Sequence, residues 1–195
     1  MGKVSLIRHG KPEIHDNYSM FSILSGDDIE NFRVSYDTCG LSPSNSITPE
    51  LNKIILDGDL FISSGLRRSM ESLRLLGVDT FESDELFKEA EIPCGIGKRL
   101  KLPLFLWAII LRIIWRFGLS TNAEPFKSFK IRIKKAADVI EKKENSSKHI
   151  VVMAHGFVNN LLGKELLRRK WRSIYRMGGN SFWSVTTFEK NSEQK

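Results

Sequence analysis

Two apolar runs, Val4-Ser5-Leu6-Ile7 near the start and Ile150-Val151-Val152-Met153-Ala154 near the end, each stop at a histidine followed by a glycine. Runs this short and this apolar read as strands buried on both faces, which is how strands in the middle of a helix-covered parallel sheet look. In open α/β sheets the ligand crevice lies beyond the carboxyl ends of the strands. His9-Gly10 and His155-Gly156 both fall at that edge, so the two imidazoles are expected to converge.

The rest of the chain fits such a sheet. Further strand-like runs occur at residues 59–62, 80–82 and 182–188, with helical patterns between most of them. Thr48-Pro49-Glu50 reads as a helix start, with a capping hydroxyl and proline at the first helical position. Leu66, Met70, Leu73 and Leu76 recur at helical spacing until Gly77. A long amphipathic helix is expected from about Ala123 to Glu144, capped by Thr121 or Asn122, and another over residues 157–167 behind Gly156. Strands alternating with helices of this length predict a three-layer α/β/α sandwich with a mainly parallel sheet. The 195 residues suffice for one sizeable core, so a single domain over residues 1–195 is expected.

Two segments stand apart as expected insertions. Residues 15–47 lack a clean period and read as an excursion over the C-terminal edge of the sheet, with one short helix around residues 27–36. Residues 102–119 are the most apolar stretch, but Pro103, Arg112, Arg116 and Gly118 speak against a membrane span, which needs about 20 predominantly apolar residues. This stretch reads as a mostly buried helix whose arginines reach solvent or an anion. An interfacial or homodimer helix using Phe105, Trp107 and Trp115 is the second reading.

The net charge of +7 is unevenly placed. Residues 1–95 hold 9 Lys/Arg against 16 Asp/Glu, and residues 96–195 hold 21 against 7. Much of the excess lies on stretches such as Lys127–Lys135 and Arg168-Arg169-Lys170, where it reads as a solvated basic face or as attraction for an anionic partner. No nucleic-acid motif accompanies it, and nucleic acid is not expected as a partner. Peripheral membrane contact ranks behind a small phosphorylated ligand. Cys39 and Cys94 lie outside any metal or redox spacing and read as free thiols. With no signal-peptide pattern before the first strand, the expected location is cytoplasmic.

The residues at the sheet edge suggest a chemistry. An unprotonated histidine nitrogen can attack phosphorus if its other nitrogen is held as N–H by an acceptor. Arginine forks suit phosphate oxygens, and a nearby carboxyl can protonate the departing oxygen. Arg8 adjoins His9, and Ser63-Ser64-Gly65 turns into a helix carrying Arg68. Arg67 is expected to face solvent, and Ser63 and Ser64 read as turn and cap residues. His15 and His149, taken alone, read as structural.

Taken together, Leu6-Ile7-Arg8-His9-Gly10, Ser64-Gly65-Leu66-Arg67-Arg68-Ser69 and Val151-Val152-Met153-Ala154-His155-Gly156 resemble, in order and spacing, three motifs of the histidine phosphatase superfamily with its phosphoglycerate mutase-like fold. The resemblance spans residues 3–188. It implies His9 as a phosphorylated nucleophile, with Arg8, Arg68 and His155 in the phosphate pocket. Glu89, in Leu86-Phe87-Lys88-Glu89, stands where the family carries its acid, with Glu91 and Glu85 as substitutes. Asn122-Ala123-Glu124, at the start of the long helix, resembles in diverged form the family's glycine-glutamate-serine stretch. Lys11, His15 and Gly156 are expected beside the phosphate or substrate, and no metal or cofactor is expected.

Pro12 and His15 replace residues that line the pocket in many relatives, and Ile92-Pro93-Cys94-Gly95 replaces a tryptophan-glutamate-glycine stretch. These departures point away from mutase activity. The reaction they leave is metal-independent hydrolysis of a small phosphomonoester. The alternative is a non-catalytic phospho-ligand or phosphoprotein binding module on the same fold.

Overall fold

The computed structural model describes residues 2–119 and 122–191. In chain order its elements are β1 (Lys3–Arg8), α1 (Ile14–Asn17), β2 (Ile23–Ser25), α2 (Gly26–Thr38), α3 (Pro49–Asp57), β3 (Leu60–Ser63), α4 (Arg67–Leu75) and β4 (Glu82–Ser83). There follow β5 (Lys101–Pro103), α5 (Leu104–Arg116), α6 (Phe126–Glu144), β6 (His149–Ala154), α7 (Gly156–Arg168), β7 (Trp171–Met177) and β8 (Val185–Lys190).

The main sheet has the order β4-β3-β6-β1-β8-β7. β1, β3, β4 and β6 pair in parallel, β8 runs antiparallel to β1, and β7 antiparallel to β8. The expected three layers follow from side-chain alternation along the two central strands. Val4, Leu6, Ile150, Val152 and Ala154 pack on one face with Phe129, Ile133, Ala137 and Ile140 of α6 and Val158 and Leu162 of α7. Ile7, Val151 and Met153 pack on the other with Leu51 and Ile55 of α3 and Leu73 of α4. Ser5 shares that second face, and its hydroxyl is satisfied by Thr187 Oγ1 and His149 Nε2, each at 2.8 Å. His149 also meets Asp57 at 2.9 Å, which makes it the structural residue expected.

Local signals set most boundaries. Thr48 accepts from the Leu51 amide ahead of Pro49, and Gly77 closes α4 at φ +79°. Several expected boundaries shift. α6 begins at Phe126 rather than Ala123, because Asn122 takes φ +55° and Pro125 rather than a side chain caps the helix. The other proposed cap, Thr121, lies outside the described residues. The strand expected at 182–188 is Val185–Lys190, since residues 178–184 turn at Gly178, Gly179 and Trp183. β4 is only Glu82–Ser83.

Residues 15–47 are more regular than expected. They hold β2 and the α2 helix, which starts with a capping box between Ser25 and Asp28. β2 pairs antiparallel with β5 as a separate two-stranded sheet. α5 packs on this unit through Leu104, Trp107 and Leu111, against Leu24 and Ile29. Trp107 and Trp115 therefore face inward, so the expected use of these two tryptophans on an outer surface is corrected. The basic run at Arg168-Arg169 is also less free than expected: Arg169 is held by Asp138, Glu141 and Glu165, and together with Arg168 it keeps the Glu165 carboxyl down at about 2. Among the described residues no helix is long and apolar enough to cross a membrane.

Candidate active site

The parallel register places Arg8 beside Ala154, and the next residue of each strand is a histidine. The His9 amide donates to the Ala154 carbonyl, extending the ladder by one step. The imidazoles of His9 and His155 consequently lie 4.9 Å apart between centroids, both buried.

Hydrogen bonding fixes what each ring can do. His9 Nδ1 lies 2.7 Å from its neighbour's carbonyl, Gly10 O, which can only accept, so Nδ1 carries the proton. Nε2 is then left with its lone pair, and Arg68 Nε donates to it at 3.3 Å. Burial first, and then the charge on Arg68, hold this imidazole well below its usual pKa, so it is neutral. His155 is depressed in the same direction by burial and by His9. Its Nε2 lies 2.7 Å from Ser64 Oγ. Ser64 Oγ also accepts the Leu66 amide, and in the tautomer in which its hydroxyl hydrogen goes to Nε2, Nδ1 of His155 is a donor.

The two arginines are aimed by what surrounds them. Arg68 is fully buried in the first turn of α4, and its Nη1 donates to the carbonyls of Tyr36 at 2.6 Å and Asp37 at 3.5 Å. Its guanidinium stacks 4.3 Å from the Tyr36 ring centroid. Arg8 lies 4.4 Å over the Phe182 ring and donates from Nη1 to the Asn180 carbonyl. Gly156 faces this guanidinium so closely that a Cβ there would come within 3.3 Å of Arg8 Nε. Gly10 is tighter still, since a Cβ would stand 2.4 Å from the Trp183 ring.

Three buried nitrogens around His9 then have no hydrogen-bond partner among the described residues: Arg8 Nε, Arg68 Nη2 and His155 Nδ1. Leaving buried donors unmade costs roughly 1–3 kcal/mol each, more for charged groups. Their concentration at one strand edge marks a cradle for an anion with several acceptor oxygens.

Glu89 follows the turn at Glu85–Phe87 and accepts the Phe157 amide at 3.3 Å, at the N-terminus of α7 and two residues from His155. It lines a narrow cleft with Phe32, Arg33, Tyr36, Asp37 and Glu91. Of the alternatives, Glu85 is exposed and paired with Lys88 at 2.5 Å, while Glu91 lines the same cleft and accepts the Glu124 amide at 2.7 Å. Glu124 forms a two-pronged pair with Arg132, whose Nη1 also ties down the carbonyls of Leu86 and Lys88. This braces the segment that carries Glu89.

The remaining expected residues divide. His15 reaches the site's wall, 5.5 Å from the Phe182 ring and 5.9 Å from that of Tyr36. Lys11, expected at the phosphate by adjacency, instead directs its ammonium to Asp16 at 2.5 Å. Arg67 faces solvent and pairs with Glu71, as expected. Sequence reasoning missed Ser64 as the partner of His155, Phe182 under Arg8, Tyr36 behind Arg68 and the Asp37 carboxyl, which burial pushes up. Of these only Ser64 carried a signal, its place in the second motif.

Solved structures share this fold. The product of open reading frame Rv3214 from Mycobacterium tuberculosis superposes with a TM-score of 0.66 at 14% identity, over 98% of this chain and 93% of that one. The phosphoglycerate mutase from Bacillus anthracis gives 0.60 at 17% identity, over 97% and 88%. The fold is phosphoglycerate mutase-like. The alpha-ribazole phosphatase from Shigella flexneri shares this fold as well, at a TM-score of 0.60 and 18% identity over 97% and 91%. No family model and no curated protein matches the sequence. Within the phosphoglycerate mutase-like fold, His9 and His155 occupy the carboxyl edge of the two central parallel strands.

Proposed function

We propose that this protein is a phosphatase that hydrolyses small phosphomonoesters through a phosphohistidine at His9. The observation that carries the reading is the set of unpartnered buried donors, Arg8 Nε, Arg68 Nη2 and His155 Nδ1, around the lone pair on His9 Nε2. The phosphoglycerate mutase-like fold, shared with an alpha-ribazole phosphatase, supports it.

In this mechanism the three donors bind the nonbridging oxygens of the ester, and Arg68 shifts its Nε from His9 to the substrate. His9 Nε2 attacks phosphorus in line as the P–O bond to the leaving alcohol breaks, and Glu89 gives that oxygen its proton. The Gly10 carbonyl stabilises the charge that His9 gains. Glu89, now a carboxylate, takes a proton from water, whose oxygen attacks phosphorus and breaks the P–N bond. Phosphate leaves with His9 neutral and Glu89 protonated again. The donors face charge that spreads over the oxygens in the transition state, where preorganised hydrogen bonds count most.

Phosphate release from a panel of sugar phosphates, nucleotides and aryl phosphates, measured with a chelator present, tests the reading. Turnover is expected with the native chain and is abolished in His9→Ala at unchanged melting temperature. Tight phosphate binding with no turnover of any ester would leave the non-catalytic module in its place.

A further inference from the structure

The helix α5 is apolar all round, yet only one side of it is covered. Leu104, Trp107, Leu111 and Trp115 are buried, while Ile109 and Ile113 on the opposite side are 52% and 50% exposed. Phe105 lies one turn before Ile109 on the same stripe, and Phe21 meets it edge-on at 5.7 Å. Phe21 itself is 76% exposed, and Phe117 beyond the other end of the helix is 82% exposed. The result is a ridge of large apolar side chains running the length of α5. A contiguous apolar surface of this kind on a folded chain marks an interaction site.

The segment that carries the ridge is basic in sequence, although Arg112 turns inward to the Ala90 and Glu91 carbonyls. No Asp or Glu occurs between Glu91 and Glu124, a stretch that carries Lys98, Arg99, Lys101, Arg112 and Arg116. Lys98 and Arg99 are exposed on the turn that packs against Trp107 through Gly97. At the far end Arg116 and Lys130 both lie over the Phe126 ring, at 5.3 and 5.4 Å, beside the exposed Lys127. Of the neighbouring carboxylates, Glu124 is paired with Arg132 and Glu91 accepts the Glu124 amide, while Asp27 and Asp28 are exposed at the start of α2, beside the turn that carries Lys98 and Arg99.

We infer that the α5 ridge docks on an anionic lipid surface, with its isoleucines and phenylalanines entering the interface and the cations at its C-terminal end, Arg116, Lys127 and Lys130, contacting headgroups. An amphipathic helix that lies in the interface combines these two features, and neither suffices alone. At 13 residues α5 lies on a bilayer rather than through it. A second copy of this chain is a poorer occupant, because a symmetric contact would bring both sets of cations together with no carboxylate on the ridge to offset them. The inference does not depend on the reaction proposed above.

Sedimentation of the full chain with phosphatidylcholine vesicles, with and without phosphatidylglycerol, tests it. Binding is expected only with the anionic lipid and is lost at high salt. The double variant Ile109→Glu/Ile113→Glu should weaken it by at least tenfold from lost apolar burial. Lys127→Glu/Lys130→Glu, at two exposed positions beside Arg116, should weaken it by roughly hundredfold. Both variants should keep the native melting temperature. Absence of binding to the anionic vesicles overturns the inference, as does a dimer in light scattering that Ile113→Glu dissociates.

Discussion

Arg68 Nε donates to His9 Nε2 at 3.3 Å, so the residue proposed to bind the phosphate also fixes the protonation state of the proposed nucleophile. With Nδ1 bound to the Gly10 carbonyl, His9 is held as the tautomer whose lone pair points into the cradle. An arginine cannot donate to a protonated nitrogen, so the pair excludes imidazolium by geometry and by charge alike.

That pairing sets a pH dependence. Burial and Arg68 hold His9 well below the ordinary value of 6.5, and burial and His9 do the same to His155. The acid limb of kcat/KM due to His9 should therefore lie below pH 6.5, since this parameter reports the free enzyme. Stability moves in the same window: below 6.5 the unfolded chain takes up protons that the folded histidines refuse, so stability is full above that pH and falls as pH drops beneath it. A pH–rate profile and urea midpoints across mildly acidic pH check both, and an acid limb above 6.5 would contradict the tautomer assignment.

Glu89→Gln should lower kcat roughly 10²- to 10⁴-fold for alkyl esters, the range for removing a general acid–base group. The loss should shrink for the phosphorylation step with an aryl phosphate, whose phenolate leaves without help. Asp37→Asn, on the same cleft, should not reproduce that dependence on the leaving group. Burst kinetics with the two ester classes distinguish these outcomes.

Ser64 positions His155 through a 2.7 Å hydrogen bond and does not touch the reacting atoms. Ser64→Ala should cost about three- to tenfold in kcat, the worth of one neutral hydrogen bond. Ser64→Thr should restore most of the loss, and KM should change little. A loss as large as that of His155→Ala would assign Ser64 a direct role instead.

The sheet core was legible because buried parallel strands leave an unbroken apolar run, and β6 begins one residue before that run and ends with it. β7 was not, because five of its seven residues are exposed and it lacks such a run. The cluster at the strand edge was legible where chemistry is written in residue type: the structure brings Arg8, His9, Arg68 and His155 together there. Its supports were hidden, since the carbonyls of Gly10, Tyr36, Asp37 and Asn180 act through the backbone, which any residue supplies. Lys11 shows the converse: nearness in sequence did not determine where its ammonium went, because Asp16 one turn away offered a partner.

The central claim is that the phosphoryl group passes through His9. Acid-labile, alkali-stable phosphate trapped during turnover of a labelled ester, and mapped by mass spectrometry, tests it most directly. The account predicts label on the peptide containing His9, chasing into free phosphate at the rate of turnover, and none in His9→Ala. Steady hydrolysis with no label on His9, or label that forms on another residue at the catalytic rate, would contradict it.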